Sequence, residues 1–258
     1  MKNPGRAFKE LHYQDEPLVL CNVWDAVSAK VAEKVGFQAI GTSSAAVAGS
    51  MGYADGEVIS LSEMMFAVRN IARATKLPLT IDFESGYSSE PSEIADNIGA
   101  LADIGVVGIN LEDSRGSESR VLVAAEAFAE NLGKVRVLLK EAGIEMFINT
   151  RIDTYIVGRP DALAETQRRI KLYEQAGADG IFVPFLTSAE DISTLAKSTD
   201  LPLNVLALPQ VPDFNGLSRL GVRRISMADF LLGCMTKAME SALAQVKKQG
   251  TCSPLFTK

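Results

Sequence analysis

The chain has 258 residues, a formal net charge of −6 and one histidine. That length suits one α/β barrel of the usual ~250 residues or two small domains. The acidic balance speaks against a general nucleic-acid binder, no run approaches the ~18–20 uninterrupted apolar residues of a membrane span, and a lone histidine speaks against a histidine triad or a multi-histidine metal site.

The N-terminus, MKNPGRAFKELHYQDEP, is charged and has no apolar core of a secretory signal, so residues 1–16 read as a short extension with His12 on its surface. From there one unit recurs: a short β-branched run, a polar turn, then an amphipathic helix ending in Gly or Pro. Strands are expected at 18–22, 39–43, 79–83, 108–112, 147–151, 180–184, 203–207 and 223–227. The first helix, AVSAKVAEKVG, places Val27, Val31 and Val35 near one face, with Gly36 as C-cap. The segment 43–60, SSAAVAGSMGYADGEVIS, is a long connection of small residues, and such connections in compact domains tend to be functional. Further helices are expected in SLSEMMFAVRNIARATK, PSEIADNIGALADIG, the long VLVAAEAFAENLGKVRVLLKEAG and DALAETQRRIKLYEQAG. Residues 228–249 close the pattern as a Met-rich amphipathic helix whose apolar stripe suits core or subunit contact. Gly36, Gly105, Gly143 and Gly177 each stand between a helix and the next strand, as a return to a parallel strand requires. Eight β/α units favour an α/β fold of the closed (β/α)8 TIM-barrel type, read as one domain over 1–258. A dinucleotide fold would want G-x-G-x-x-G after the first strand, which instead runs into CNVWDAVS. The three cysteines, Cys21, Cys234 and Cys252, have no metal or redox spacing, so reduced thiols and a cytoplasmic location are expected.

Polar residues fall at the carboxyl ends of several strands at once. Strand two ends in Thr42, Ser43 and Ser44; strand three in Asp82 and Glu84; strand four in Asn110, Glu112 and Asp113; strand five in Asn149, Arg151 and Asp153. Strand seven carries Asn204 and strand eight Ser226. Side chains two apart on a strand point the same way, so Asp82 and Glu84 pair on one side, as do Asn110 and Glu112. Three acids on one rim repel unless a cation or protons neutralise them, and oxygen ligands of this kind suit Mg²⁺. Arg151 is placed to hold a substrate carboxylate through two hydrogen bonds. Asp113 and Asp153 read as caps or partners of basic residues. Ser43 and Ser44 offer either an anion nest or a helix N-cap. Trp24, Tyr53, Asp55 and Tyr87 flank the same openings; Trp24 reads as packing near the first βα loop and is carried as a substrate-binding candidate.

The blocks NVWDAVSAKVAEKVGFQAIGTSS, TIDFESGYS, GINLEDS, FINTRIDTY, AGADGIFVP, PLNVL and GVRRIS, in this order over nearly the whole chain, resemble the isocitrate lyase/phosphoenolpyruvate mutase superfamily. The resemblance implies a (β/α)8 barrel, often with the last helix exchanged between subunits of a dimer or tetramer. It implies Mg²⁺ or Mn²⁺, a small carboxylic acid substrate and an enolpyruvate-like intermediate. Position by position it implies Asp82 as the principal metal-side acid, Glu84 as a metal contact through water, and Glu112 as a metal-shell and catalytic glutamate. It implies Arg151 as the substrate-carboxylate arginine and Ser43, Ser44 and Ala45 as the loop holding the other end of the substrate. Asp55 matches a loop acid taken as catalytic, and Asn204 a polar substrate contact.

One segment departs from the pattern. Lyases of the superfamily carry Lys-x-Cys-Gly-His in the loop after strand four, and its phosphonate enzymes a Lys and an Asn. Here 114–128 reads SRGSESRVLVAAEAF, leaving Ser114, Arg115, Ser117, Ser119 and Arg120. The leading expectation is a metal-dependent carbon–carbon lyase, hydrolase or decarboxylase acting on a small α-oxo or α-hydroxy acid, with oxaloacetate decarboxylation needing the least extra machinery. The alternatives are carbon–phosphorus chemistry on phosphonopyruvate and a non-catalytic ligand-binding barrel. No lysine falls at an expected strand end, which disfavours a Schiff-base aldolase.

Overall fold

The structure, a computed structural model, describes residues 4–116 and 120–256; Ser117 and Ser119 lie outside them. The first expected strand is in two pieces, Leu18–Val19 (β1) and Cys21–Val23 (β2), separated at Leu20, whose N–H still donates to Ile225 O at 2.9 Å. Along the chain follow helix α1 (Pro4–Glu10) ahead of them, then α2 (Ala26–Val35), β3 (Ile40–Thr42), α3 (Ser44–Ser50) and α4 (Leu61–Ala74). Next come β4 (Leu79–Asp82), α5 (Pro91–Asp103), β5 (Val106–Glu112), a hairpin of β6 (Ser114–Arg115) and β7 (Val121–Leu122), and α6 (Ala125–Glu141). The rest is β8 (Phe147–Arg151), α7 (Ala162–Gln175), β9 (Gly180–Val183), α8 (Ala189–Ala196), β10 (Leu203–Leu206), α9 (Phe214–Arg219), β11 (Val222–Ser226) and α10 (Phe230–Gln249).

The sheet order is β1-β11-β10-β9-β8-β5-β4-β3-β2, every neighbour parallel. Because β1 and β2 are halves of one strand, pairing β1 with β11 and β2 with β3 closes the ring. The fold is the (β/α)8 barrel. All eight expected strands are present, within a few residues of their expected bounds. Gly36 ends α2 at φ 97°, and its N–H donates to Ala32 O and Glu33 O, which is why a residue without Cβ stands there.

Several local expectations are corrected. The connection 43–60 contains a helix, α3, with Ser43 as its N-cap: the Ser43 hydroxyl accepts from Ala46 N at 3.3 Å. The long helix expected from Val121 starts at Ala125, because Val121 and Leu122 pair with Arg115 and Ser114 in the antiparallel hairpin. The last helix begins at Phe230 rather than 228. Val27, Val31 and Val35 share a face of α2 but that face is exposed, while Ala29 and Ala32 face the core.

His12 is also buried rather than on the surface. Helix α1 and the turn Leu11–Tyr13 plug the amino-terminal end of the barrel. The His12 ring stacks on Phe147 at 4.3 Å between centroids, and Phe8 meets Phe147 edge-on at 5.5 Å. A Cβ at Gly108 would lie 2.8 Å from the Phe8 ring, so the plug needs glycine there.

Above the plug the barrel interior is polar. Asn149 Nδ2 donates to Asn110 Oδ1 (2.9 Å) and Asn204 Oδ1 (3.0 Å), and the fully buried Arg224 donates through Nη2 to Asn110 Oδ1 (3.1 Å). Asn110 Nδ2 in turn reaches Asp82 Oδ1 at 3.4 Å. These linked amides form a floor beneath the carboxyl ends of the strands, although Asn149 Oδ1 and Arg224 Nε and Nη1 are buried without a hydrogen-bond partner.

Candidate active site

Among the described residues five non-glycine residues have positive φ: Glu57, Glu84, Tyr87, Phe185 and Ala228. All five lie in connections that leave the carboxyl ends of strands. Such conformations cost about 1–3 kcal/mol each and persist only where the surroundings enforce them. Their concentration on one face marks that face as the functional one, as the barrel architecture also does.

Asp82 ends β4. Its Oδ2 accepts from Ser44 N (3.2 Å) and Ser44 Oγ (2.9 Å), so the donors expected to form an anion nest are taken by a carboxylate of the protein. Glu84 lies two residues beyond the strand, and at φ 50° it no longer continues the strand alternation, yet its carbonyl still accepts from Glu112 N at 2.8 Å. Its side chain is buried, with the Tyr87 hydroxyl 3.4 Å from Oε1. Burial first, then the charges of Asp82, Asp55, Glu112 and Glu57, push its carboxyl up to about 8. Tyr87 is raised as well, by burial and by Glu84.

A second cluster stands on β5 and β8, where Glu112 and Arg151 are register partners. Asp153 clamps Arg151 through Nε (2.7 Å) and Nη2 (3.2 Å). Glu112 Oε2 lies 2.9 Å from Arg151 Nη1 but off the N–H direction, so this buried oxygen is ion-paired without a hydrogen bond. Burial raises the Glu112 carboxyl and Arg151 works against that rise. Asp153 is held from behind: its N–H donates to Asp113 Oδ1 (3.0 Å), and Asp113 Oδ2 accepts from Arg169 Nη1 (2.7 Å) and the Tyr173 hydroxyl (2.8 Å). Asp113 and Asp153 are thus partners of arginines, as their sequence context indicates.

The hairpin adds a residue that sequence reasoning noted without assigning a role. Arg120 contacts Glu112 Oε1, lies 3.1 Å from Asp153 Oδ2 and 3.6 Å from Asp55 Oδ2. It joins the 53–57 connection to β5 and β8. The signal was present as the basic residue left in a segment without the superfamily's Lys or Cys, but only the hairpin shows which acids it meets.

A cavity of about 190 Å³ opens here, lined by Ser43, Ser44, Ala45, Asp55, Asp82 and Arg151 among others. A second opening, of about 240 Å³, is lined by Glu84, Glu112 and Tyr87 among others. The expected site residues therefore gather on one face, with two exceptions. Trp24 is packed in the core beside β2 and does not line the cavity. Asn204 lies under the floor, its amide donating to Ser226 Oγ (3.0 Å) and accepting from Asn149, so it supports the site from below.

Among the described residues no three His, Cys, Asp or Glu side chains form a ready metal cluster. The donor set nonetheless suits a hard divalent cation. Asp55 Oδ1 and Glu112 Oε2 are buried oxygens without a hydrogen-bond donor, and the carboxylates around Glu84 repel one another.

The sequence profile of phosphoenolpyruvate phosphomutase matches residues 8–247. The chain belongs to that family. An uncharacterized protein of Mycobacterium tuberculosis (strain H37Rv) is 37% identical over 225 residues, covering 85% of this chain and 81% of that protein. An oxaloacetate decarboxylase of Bradyrhizobium sp. (strain BTAi1) is 28% identical, covering 80% of this chain and 71% of the decarboxylase. A crystal structure from Burkholderia cenocepacia J2315, provisionally described as a phosphonomutase, superposes with a TM-score of 0.86 at 37% identity over 95% of this chain and 99% of that one.

Proposed function

We propose that the protein cleaves a carbon–carbon bond in a small α-oxo or α-hydroxy carboxylic acid, as a metal-dependent lyase or decarboxylase working through an enolate. The observation that carries this reading is the meeting, on one face of the barrel, of an arginine clamped for anion binding with four carboxylates that lack enough positive partners, shared between two adjoining openings. Asp82, Glu84 and Glu112 are the residues to hold Mg²⁺ or Mn²⁺. When bound, the cation supplies Lewis acidity toward negative charge developing on a substrate oxygen. Arg151, fixed by Asp153, orients the substrate carboxylate. Ser44 and Asn110 fix the two oxygens of Asp82. Asp55 Oδ1, free of hydrogen-bond donors, is the atom to accept a proton from a substrate hydroxyl. Arg120 draws the hairpin over the acids and limits water. Kinship with an oxaloacetate decarboxylase supports the reaction class.

The test is a thermal shift with oxalate, a stable mimic of an enolpyruvate anion, with and without Mg²⁺. A ligand at 100 times its dissociation constant stabilises by about 2.7 kcal/mol. Stabilisation that needs both components, and is lost in Asp82→Ala and Glu112→Ala, supports the reading. No shift at millimolar levels of both refutes it. The Burkholderia relative favours a second reading, carbon–phosphorus chemistry. It requires that a phosphonate or sulfonopyruvate compete with oxalate, and it lacks support from 114–116 and 120–128, where no Lys or Asn stands.

The protein is also proposed to assemble as a homo-oligomer through α10. No side chain of that helix is buried, and Phe230, Met235, Met239 and Leu243 are exposed along it, as are the α2 valines and Phe66. Apolar stripes of this extent mark contact surfaces, and a second copy of the chain offers the matching stripe. Sedimentation should give a dimer or tetramer that Met239→Glu with Leu243→Glu dissociates; an unmodified protein that sediments as a monomer refutes this.

A further inference from the structure

The turn that follows β4 has an unusual backbone. Glu84, Gly86 and Tyr87 hold φ of 50°, 98° and 58°, values that L side chains rarely adopt. Gly86 N closes the turn onto Phe83 O at 3.0 Å. Neighbouring N–H groups in such a turn can point into one concavity and favour an anion there. That anion is the carboxylate of Glu57, from the 53–57 connection. Its Oε1 accepts from Ser85 N (3.0 Å), Ser85 Oγ (2.8 Å) and Tyr87 N (3.1 Å). Glu57 itself stands at φ 57°. Three of the five positive-φ residues named above therefore lie in or beside one set of contacts, and strain of this kind persists only where the surroundings enforce it.

The residue so held is Glu84. Its carbonyl accepts from Glu112 N at 2.8 Å, and the N–H that follows it, Ser85 N, is tied to Glu57. Between these two anchors the Glu84 backbone is fixed, and its side chain is buried with the Tyr87 hydroxyl 3.4 Å from Oε1. Glu57, Glu84 and Glu112 line the same opening. With three donors upon it, Glu57 Oε1 is engaged by the turn and is not an oxygen to hold a cation.

We infer that Glu57 is a positioning residue: by gathering Ser85 and Tyr87 onto its Oε1 it holds Glu84 where Glu84 and Glu112 can serve one divalent cation. This rests on the metal-assisted reading above. Reach, more than charge, is what the turn requires. The side-chain oxygen of glutamine can accept from the same three donors, whereas the carboxylate of aspartate falls one methylene short.

The experiment is titration of the full-length protein with Mn²⁺ alone, read from the paramagnetic resonance signal of free Mn²⁺. Wild type, Asp82→Ala, Glu57→Gln and Glu57→Asp are compared. The binding that Asp82→Ala removes is the binding to be measured in the others. Glu57 is half-buried on a connection, and aspartate tolerates positive φ better than most residues, so both conservative variants keep the fold. Removing the partners of metal-holding carboxylates weakens metal binding by roughly 10–100-fold, which is the loss expected for Glu57→Asp. Glu57→Gln is expected to bind tighter than Glu57→Asp by about fivefold or more, on the same scale. A smaller gap, or the reverse order, overturns the inference and leaves the metal reading standing. Equal affinities would make Glu57 a brace for its own connection, and the reverse order would make it a source of negative field. The absence of any Mn²⁺ binding that Asp82→Ala removes overturns the inference and the metal reading together.

Discussion

Protonating His12 should unfold the protein from its plugged end. The ring is buried between Phe8 and Phe147, its Nδ1 donates to Phe8 O at 3.1 Å, and its Nε2 has no partner. A second proton would sit on Nε2 in an apolar stack, in the field of the buried Arg224 and of Lys9. Burial first, then Arg224, lower the imidazole from 6.5 to about 3. The folded pKa lies below the unfolded one, so the unfolded chain binds the extra proton more readily. The contribution of His12 is thus complete above pH 6.5 and is lost as pH falls from 6.5 toward 3. The slope is roughly 1.4 kcal/mol per pH unit, so a drop to about pH 4.5 removes roughly 2.7 kcal/mol through this one group. The assay is urea unfolding of wild type and His12→Gln at several pH values between about 7.5 and 4.5. The glutamine variant is expected to start less stable, because it loses the ring stack, but to show a shallower pH dependence. Parallel curves for the two proteins would refute the argument, because every other titrating group is common to both.

Other outcomes follow from single contacts. Arg120→Gln should expose the hairpin to proteolysis between Ser114 and Val123 at least tenfold faster, with a melting temperature lowered by less than about 4 °C, since Arg120 ties a surface hairpin and not the core. Arg169→Met leaves the fully buried Asp113 without its cation and should cost about 3–5 kcal/mol in urea unfolding, whereas Tyr173→Phe removes one hydrogen bond to the same oxygen and should cost about 1 kcal/mol. Gly108→Ala drives a methyl against the Phe8 ring and should destabilise by about 1–3 kcal/mol, with part of the loss recovered on adding Phe8→Leu.

The strands, the closing β/α rhythm and the position of Asp82, Glu84 and Glu112 at the carboxyl ends of strands were legible in the sequence, because strand periodicity and glycine C-caps are local properties that a short window of residues displays. The sequence also marked Arg151, since a basic residue at a strand end lies on the functional face of any such barrel. It misjudged His12, whose partner Phe147 lies far away in the chain, and it could not say what Trp24 and Asn204 meet: the barrel core for Trp24, in keeping with its packing reading, and Asn149 for Asn204. Arg120 shows the same limit, for its partners Asp55, Glu112 and Asp153 belong to three separate β/α units. Only closure of the ring brings them within reach of one guanidinium. Local patterning decides which face a side chain points to, and tertiary packing decides what it meets there, because charge–charge and burial energies depend on distances that chain order does not encode.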